Sequence, residues 1–137
     1  MKVAELMKTE VKTIASDAVL ADAIVVMLDA DVSALPVLNW EQRPIGVVTQ
    51  RDILVASLER DEHGGGLRGP DLIAVTDAMS AWPPWVDPET SISDAAKMMS
   101  YLDLKRVFVM DRGKVVGVFS QTDMVDTLAT TTYARRA

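Results

Sequence analysis

The chain has 137 residues, and its content of 49% hydrophobic and 25% charged residues is ordinary for a small globular protein. A net charge of −6 argues against non-specific nucleic-acid binding, because such binding depends on lysine and arginine side chains that neutralise phosphates. The chain lacks cysteine, which excludes disulfides and thiolate metal sites, and it lacks a long apolar run or a signal-peptide core, which predicts a cytoplasmic protein with no membrane span.

The first part of the chain predicts a series of short helices and strands. A short helix (VAELM) and an extended segment (VKTI) precede an amphipathic helix. Four apolar residues of that helix fall at helical spacing and are predicted to face a core: Leu20, Ile24, Met27 and Leu28. Two strands follow, ALPVLN and RPIGVVT, joined by a polar turn that contains Trp40, and a closing helix (QRDILVASLER) ends the series.

A glycine-rich segment at 61–71 (DEHGGGLRGPD) predicts a linker to a second series of elements. The same order then recurs as VTDAM, PWV, an amphipathic helix, RVFVMD, KVVGVFS and QTDMVDTLA. Ser91 and Asp94 predict a capping box for that amphipathic helix, whose apolar side is formed by Ile92, Ala96, Met98 and Met99. The single histidine, His63, lies in the linker without partners for a zinc site, and residues 131–137 are predicted to be a frayed tail.

The second series is a copy of the first. GVVTQRD at 46–52 recurs as GVFSQTD at 117–123, with an offset of 71 residues. Earlier in the chain an offset of 72 matches identical residues to Val3, Met7, Asp22, Ala23, Met27, Asp31 and Val37. The one-residue deletion falls in the turn between the two strands, where indels are tolerated. The sequence therefore predicts an α+β fold of two βαββα repeats, at 1–60 and 72–130, each a small sheet covered by two helices.

The order of these motifs resembles the cystathionine β-synthase (CBS) domain, which occurs in tandem as a Bateman module. The resemblance covers about residues 1–128 and rests on the V-x-x-x-M opening, the Asp-Ala pair of the long helix, the LPV strand and the G-h-h-[ST]-x-x-D motif. It implies two repeats related by a pseudo-twofold axis, with two clefts that bind AMP, ADP, ATP or S-adenosylmethionine. It also implies a homodimer that acts on another protein. The acidic net charge and the lack of a long apolar run predict neither nucleic acid nor a membrane as a partner.

The resemblance also implies particular ligand-binding residues. The ribose- and phosphate-binding signature of the family falls on Gly46, Thr49 and Asp52 in the first copy and on Gly117, Ser120 and Asp123 in the second. The aspartates are expected to accept hydrogen bonds from the ribose hydroxyls, and the Thr or Ser hydroxyl, with nearby helix amides, is expected to meet a phosphate. The glycines are expected to let a ligand come close to the strand.

An adenine base is implied to lie beside the first strand and the LPV strand of each copy. The residues at these positions are Thr13, Ile14, Leu35 and Pro36 in the first copy and Trp85, Val86, Val107 and Phe108 in the second. A basic residue before the LPV strand suits a phosphate, and the second copy has Arg106 there. The first copy has Ala34 instead, with Arg51 as a substitute cation. Because Phe108 also replaces the proline, the two sites are predicted to be unequal.

Both signatures have a second interpretation as helix caps. Thr49 or Ser120, with an acidic residue three positions later, has the pattern of a capping box that satisfies helix amides. A fold with two copies needs two such caps, so the repetition by itself does not require a ligand. Trp85 also has two interpretations: it stacks on adenine, or, like Trp82, it packs in the core or in a subunit interface. Trp40 is the more exposed candidate for contact with a partner.

The sequence contains no Ser/His/Asp or Cys/His set and no P-loop, which predicts a protein that is not an enzyme and requires no cofactor. The leading hypothesis is a regulatory sensor of an adenine nucleotide that changes shape or dimer geometry and so acts on an unidentified protein partner. The alternative is a constitutive dimerisation or interaction module with no nucleotide bound. Phe108 and the missing cation before Leu35 favour this alternative, and the two intact signatures oppose it.

Overall fold

A computed structural model describes residues 1–58, 69–81 and 85–136 of the chain, with the backbone alone at 133–136. Most of the predicted linker, including His63, lies outside the described residues, as does Trp82. The elements of the first series are α1 (Val3–Leu6), β1 (Ile14–Ala15), α2 (Leu20–Ala30), β2 (Ala34–Leu38), β3 (Pro44–Thr49) and α3 (Gln50–Leu58). After a 3-10 turn at Pro70–Leu72, the second series is α4 (Val75–Ala78), β4 (Trp85–Val86), α5 (Ile92–Tyr101), β5 (Arg106–Asp111), β6 (Lys114–Ser120) and α6 (Gln121–Arg136).

The strands form two three-stranded sheets with the same topology. Their orders are β1-β2-β3 and β4-β5-β6. In each sheet the short first strand is parallel to the second, and the second and third strands form an antiparallel hairpin. The register shifts once in each hairpin, between Val37 and Leu38 and between Val109 and Met110. This arrangement confirms the predicted α+β class with two repeats.

The compact units of the structure do not coincide with the two halves of the chain. One unit comprises residues 12–83, and the other comprises residues 1–11 together with 84–137. The opening helix of each series therefore packs with the sheet formed by the other series. Repeats defined by sequence at 1–60 and 72–130 and units defined by contacts are two different divisions of the same chain.

Backbone hydrogen bonds hold each opening segment at the edge of its sheet. In the unit of residues 12–83, Val47 and Ser80 exchange hydrogen bonds of 3.0 and 2.9 Å. In the other unit, Lys8 and Val118 exchange two hydrogen bonds of 2.9 Å. Each pair is an antiparallel bridge, so the second residue after the opening helix extends the sheet beyond its third strand.

Each sheet carries its core on one face. Leu35, Val37 and Val48 are fully buried in the core of the first sheet, because alternate strand residues point to the same face. The core of the second sheet is built in the same way from residues that include Val3, Val107, Val109 and Phe119. Burying a side chain of this size contributes about 1.5–3 kcal/mol. We refer to the opposite surface of each sheet as the non-core face.

The long helices confirm the predicted amphipathic pattern except at Leu28. In α2 the buried residues are Leu20, Ala23 and Met27, and Ile24 is half-buried. Leu28 is 72% exposed, because it lies one helical position, about 100°, beyond Met27 and so outside the buried stripe.

The second amphipathic helix, α5, buries Ala95 and Met99. Ile92 and Met98 pack partly buried against the same core. The predicted cap is confirmed, since the backbone amide of Asp94 donates to Oγ of Ser91 at 3.0 Å.

The helix α6 extends to Arg136, through most of the segment at 131–137 for which the sequence predicts a frayed tail. The segment Gln121–Arg136 contains neither glycine nor proline, so no residue in it interrupts the helix. Two threonine hydroxyls of α6 donate to carbonyls one turn earlier: Thr127 to Asp123 at 2.9 Å and Thr130 to Asp126 at 3.0 Å.

Aspartates that follow the two long helices have left-handed backbones. Asp31 has φ 54° and Asp103 has φ 52°. Since glycine adopts this conformation without strain, Asp31→Gly is expected to raise the free energy of unfolding by about 0.5 kcal/mol. Asp29→Gly, within α2, is the matched control and is expected to lower it by a few tenths of a kcal/mol, because the helix propensity of glycine is only slightly below that of aspartate. Urea denaturation of both variants measures these changes, and a loss of stability in Asp31→Gly would contradict the prediction.

Candidate functional site

The junction between β3 and α3 is closed by a reciprocal capping box. The backbone amide of Thr49 donates to Oδ2 of Asp52 at 2.8 Å, and the backbone amide of Asp52 donates to Oγ1 of Thr49 at 3.1 Å. Both residues are partly buried. This bears out the interpretation of the first signature as a helix cap. We call the junction and the non-core face beside it the Asp52 site.

The junction between β6 and α6 has the same cap with one additional hydrogen bond. The backbone amide of Ser120 donates to Oδ2 of Asp123 at 2.9 Å, and the amide of Asp123 donates to Oγ of Ser120 at 3.2 Å. The Ser120 hydroxyl also donates to Oδ2 of Asp123, at 2.9 Å. This junction and the non-core face beside it are called the Asp123 site.

Both caps use Oδ2 of the aspartate, and Oδ1 takes no part in either cap. At the Asp123 site, Oδ1 lies 3.8 Å from Nζ of Lys8. The Asp123 side chain is 11% exposed, whereas that of Lys8 is 70% exposed. At the Asp52 site, Oδ1 makes no hydrogen bond to any other part of the chain that the structure describes. A carboxylate oxygen in this state can accept hydrogen bonds from a ligand.

The register of the hairpins places the capping hydroxyls on the non-core faces. Residues paired directly across antiparallel strands share a face of the sheet. Thr49 pairs with Ala34, and the next pair on that face is Pro36 with Val47, whereas the intervening pair joins the core residues Leu35 and Val48. The caps therefore open onto the face of the sheet that does not carry the core.

The second sheet repeats this arrangement with different side chains. Ser120 pairs with Arg106, and Phe108 pairs with Val118. The positions of Ala34 and Pro36 in the first sheet are thus taken by Arg106 and Phe108 in the second. The non-core face at the Asp123 site is both more basic and more aromatic.

The residues predicted to line the adenine base divide into two groups. Ile14, Leu35, Val86 and Val107 belong to the two cores, so their side chains are packed on the opposite side of each sheet from the caps. The second group consists of Thr13, Pro36, Trp85 and Phe108. Trp85 pairs with Phe108 across parallel strands, and their ring centroids are 5.9 Å apart at an interplanar angle of 51°. Pro36 and Phe108 are both buried.

The tryptophans differ in their surroundings. Trp85 is half-buried against Phe108, which is within the range of favourable tilted aromatic pairs. Trp40 is 86% exposed in the β2–β3 turn, as the sequence predicts for the more exposed tryptophan. Asn39 orders that turn, because its Oδ1 accepts from the backbone amides of Glu41 at 2.9 Å and Arg43 at 3.0 Å.

The two signature glycines are needed for packing on the core side. Gly46 pairs with Val37 and Gly117 pairs with Val109, and both partners are core residues. A Cβ at Gly46 would lie 2.6 Å from the Ser80 carbonyl oxygen. The methionine of each opening segment packs over the corresponding glycine. In the structure these glycines therefore have a packing role. From the sequence they were expected to let a ligand come close to the strand.

The cations around the two sites are also unequal. Arg51 is exposed on α3. Arg106 is half-buried, and the loss of hydration lowers the pKa of its guanidinium from the ordinary value, although an arginine stays protonated at neutral pH. Lys8 was not found by sequence reasoning, because its position beside Asp123 depends on the bridge to Val118 rather than on a local motif.

Other kinds of site were sought in the described parts of the chain. Within them, no group of three or more His, Cys, Asp or Glu side chains is placed to hold a metal ion. None of the described helices combines the length and the hydropathy that crossing a bilayer requires.

Comparison with protein families identifies the fold. The profile of the CBS domain matches residues 3–59 and again residues 75–130. The chain belongs to the CBS domain family. Its two series of elements are thus two CBS repeats, and α1 and α4 are the opening helices that pack with the sheet of the other repeat.

Individual CBS proteins resemble the chain over most of its length. The YlbB protein of Bacillus subtilis is 29% identical over 104 residues, which is 75% of this chain and 66% of YlbB. The chain spans 42–66% of the length of the first three curated relatives that it matches. The crystal structure of CBSX2 in complex with AMP has a TM-score of 0.80 and 23% identity, and covers 96% of this chain and 98% of CBSX2.

A second solved structure is the CBS domain pair of MJ0100 in complex with 5′-methylthioadenosine and S-adenosylmethionine. It has a TM-score of 0.80 and 17% identity, and the alignment covers 96% of this chain and 98% of that one. At these identities the likeness shows a common fold.

Proposed function

We propose that this CBS pair is a regulatory module that binds adenosine compounds at the Asp52 and Asp123 sites and signals their presence to another protein. The observation that carries the proposal is the state of the two capping aspartates. Each is partly buried, each uses Oδ2 for its cap, and each directs Oδ1 to no helix amide. Since the cap uses only Oδ2, the second carboxylate oxygen of each aspartate can accept a hydrogen bond from a ligand hydroxyl.

The chemistry of the two sites suits a nucleoside. A carboxylate oxygen can accept hydrogen bonds from the vicinal hydroxyls of a ribose, and hydrogen bonds to a charged acceptor are about twice as strong as neutral ones. The apolar residues Pro36 and Phe108 lie two positions from the cap partners Ala34 and Arg106 on the same non-core face. Both are buried in the free chain, so each cap has an apolar neighbour beside it. The bound AMP of CBSX2 and the bound adenosine derivatives of MJ0100 support the same class of ligand.

Regulation requires that the ligand favour one conformation over another. A ligand with equal affinity for two conformations shifts nothing, however tightly it binds. Both caps join a sheet to a closing helix, so a ligand that bridges the two elements changes the helix and the sheet together. The partner is then controlled through the orientation of α3 or α6.

A homodimer is the proposed assembly. Two closing helices carry apolar side chains that are exposed in the single chain: Leu54 and Leu58 on α3, and Val125 and Leu128 on α6. Their spacings of four and three residues place each pair on one side of its helix. Exposed apolar side chains that form a contiguous patch are typical of surfaces that a second chain covers.

The alternative is a constitutive interaction module that uses these helices and binds no nucleotide. The tilted contact between Trp85 and Phe108 favours it, because the two rings occupy part of the non-core face that a base would use at the Asp123 site. The same contact has no equivalent in the described residues of the Asp52 site, where Thr13 and Pro36 stand at these positions.

Thermal denaturation with AMP, ADP, ATP and S-adenosylmethionine tests the proposal. A ligand at a hundred times its Kd stabilises the native state by about 2.7 kcal/mol. For a chain of this size we expect a rise in Tm of about 8–13 °C, from about 3–5 °C per kcal/mol. Asp52→Asn and Asp123→Asn are each expected to remove the part of the rise that belongs to their own site.

Asp94→Asn is the matched control. Asp94 also follows its N-cap residue by three positions, and it lies in α5, outside the two strand–helix junctions that form the sites. It therefore reports the loss of a charge from the first turn of a helix without the loss of a ligand contact. If none of the four compounds raises the Tm of the unmodified protein, the sensor function is refuted and the constitutive module remains.

A further inference from the structure

The side chain of Lys8 lies on the non-core face of the second sheet. Lys8 and Val118 exchange two backbone hydrogen bonds of 2.9 Å, which makes them a directly opposed antiparallel pair. Val118 in turn pairs with Phe108 on the non-core face. Because opposed residues share a face, Lys8 lies on the same surface as the cap. Its Nζ is accordingly 3.8 Å from Oδ1 of Asp123.

Serine stands at the corresponding position of the Asp52 site. Ser80 forms the equivalent bridge with Val47, through hydrogen bonds of 2.9 and 3.0 Å, and Val47 pairs with Pro36 on the non-core face. The offset of 72 residues that relates the opening segments aligns Lys8 with Ser80. The two sites therefore share a backbone and differ by one full charge at the sheet edge.

A second position adds to this difference in charge. Arg106 is opposed to Ser120, whereas Ala34 is opposed to Thr49. At both of these positions the Asp123 site has a cation where the Asp52 site has a neutral side chain. Arg51, the cation of the first signature, is exposed on α3 rather than placed on the non-core face of the sheet. In a chain with a net charge of −6, such a local excess of positive charge is what would hold an anion.

The contact between Lys8 and Asp123 leaves both groups available to a ligand. An exposed lysine paired at 3.8 Å makes a weak ion pair. A ribose hydroxyl that takes Oδ1 of Asp123 releases the ammonium group, and the flexible four-carbon stem of lysine lets it turn towards a phosphate. The loss of one weak pair is then offset by a charge-assisted contact with the ligand.

We propose that Lys8 selects the charge of the ligand at the Asp123 site, so that this site takes a phosphorylated adenosine compound while the Asp52 site, with Ser80, takes one without phosphate. The inference rests on the proposed function, namely that both sites bind adenosine compounds. It adds a binding residue from the opening segment of the first repeat to a site formed by the second repeat.

Isothermal titration calorimetry with adenosine, AMP and ATP tests the inference at one site at a time. Asp52→Asn isolates the Asp123 site. In that protein, Lys8→Ser is expected to lower the affinity for AMP and ATP by about tenfold or more and to change the affinity for adenosine by less than about twofold. Lys8→Arg keeps the charge and is expected to retain AMP binding. The preference for ATP over adenosine is expected to fall with added salt when Lys8 is present, because salt screens exposed charges.

The reciprocal exchange tests the other site. Asp123→Asn isolates the Asp52 site. Adding Ser80→Lys to that protein is expected to raise its affinity for AMP relative to its affinity for adenosine. Because the Lys8 side chain is largely exposed, Lys8→Ser is expected to keep the Tm of the free protein. Equal losses of affinity for adenosine and for AMP in Lys8→Ser would refute the proposed role of Lys8 in selecting charge, while the proposed function would still hold. Failure of all three compounds to bind the unmodified protein would overturn both.

Discussion

Val3→Ala is expected to weaken the sheet of the second repeat, and Val75→Ala the sheet of the first. Val3 is fully buried in the core cluster that contains Val107, Val109 and Phe119. Val75 is fully buried in the other cluster, with residues of β2 and β3. Each substitution removes two carbons, at about 0.8 kcal/mol each, and leaves a cavity, so the free energy of unfolding is expected to fall by about 2 kcal/mol or more.

Native-state hydrogen exchange measures where the stability is lost. In Val3→Ala, the amides of β5 and β6 are expected to exchange faster than those of β2 and β3, and Val75→Ala is expected to show the reverse. Each variant is thus the matched control of the other, since the two valines occupy equivalent positions in the two repeats. If the amides of the valine's own repeat exchange faster instead, each opening helix packs with the sheet of its own repeat, and the prediction is wrong.

The packing of each opening helix with the sheet of the other repeat could not be predicted from the sequence, although most of the helices and strands could. The repeated signature predicts two copies of one fold, and local patterns predict the strands, the long helices and the cap at Ser91, because hydrophobic period and capping chemistry act over a few residues. The assignment of α1 to the distant sheet depends on which of two nearly identical edges it joins. The copies carry the same opening pattern, so local sequence does not distinguish the two pairings.

The candidate site was predictable to the same extent. The capping pairs at Asp52 and Asp123 lie within four residues of sequence, and the structure contains both. Lys8 reaches Asp123 only through the bridge to Val118, across more than a hundred residues of chain. Whether Leu35 faces a ligand or the core depends on the phase of β2 in the sheet, and the structure places it in the core.

Gly117→Ala is expected to lower the free energy of unfolding by about 1–3 kcal/mol, as overpacking in a core does. An added Cβ would collide with the side chain of Met7, whose Cγ would be only 2.9 Å away, and would approach the Lys8 carbonyl oxygen to 3.1 Å. The end of a methionine side chain is flexible and can be shortened. Met7→Ala is therefore expected to recover part of the loss when it is combined with Gly117→Ala.

Gly46→Ala is the matched comparison, because its obstruction is of a different kind. Its Cβ would lie 2.8 Å from Sδ of Met79 but 2.6 Å from the carbonyl oxygen of Ser80, which belongs to the backbone bridge with Val47. Met79→Ala cannot remove that oxygen. Double-mutant cycles from urea denaturation are thus expected to give a coupling of about 1 kcal/mol or more for Gly117 with Met7 and a smaller one for Gly46 with Met79.

The same variants separate packing from ligand binding. Because Gly117 faces the core, the protein with both Gly117→Ala and Met7→Ala is expected to keep the cap at Ser120 and Asp123 and therefore to keep its affinity for a ligand at the Asp123 site. If that protein keeps its fold but loses ligand binding, Gly117 is required for the ligand, which would contradict its assignment to packing alone. Retained binding would mean that the signature combines two requirements, a glycine for the opening helix and an aspartate for the ligand.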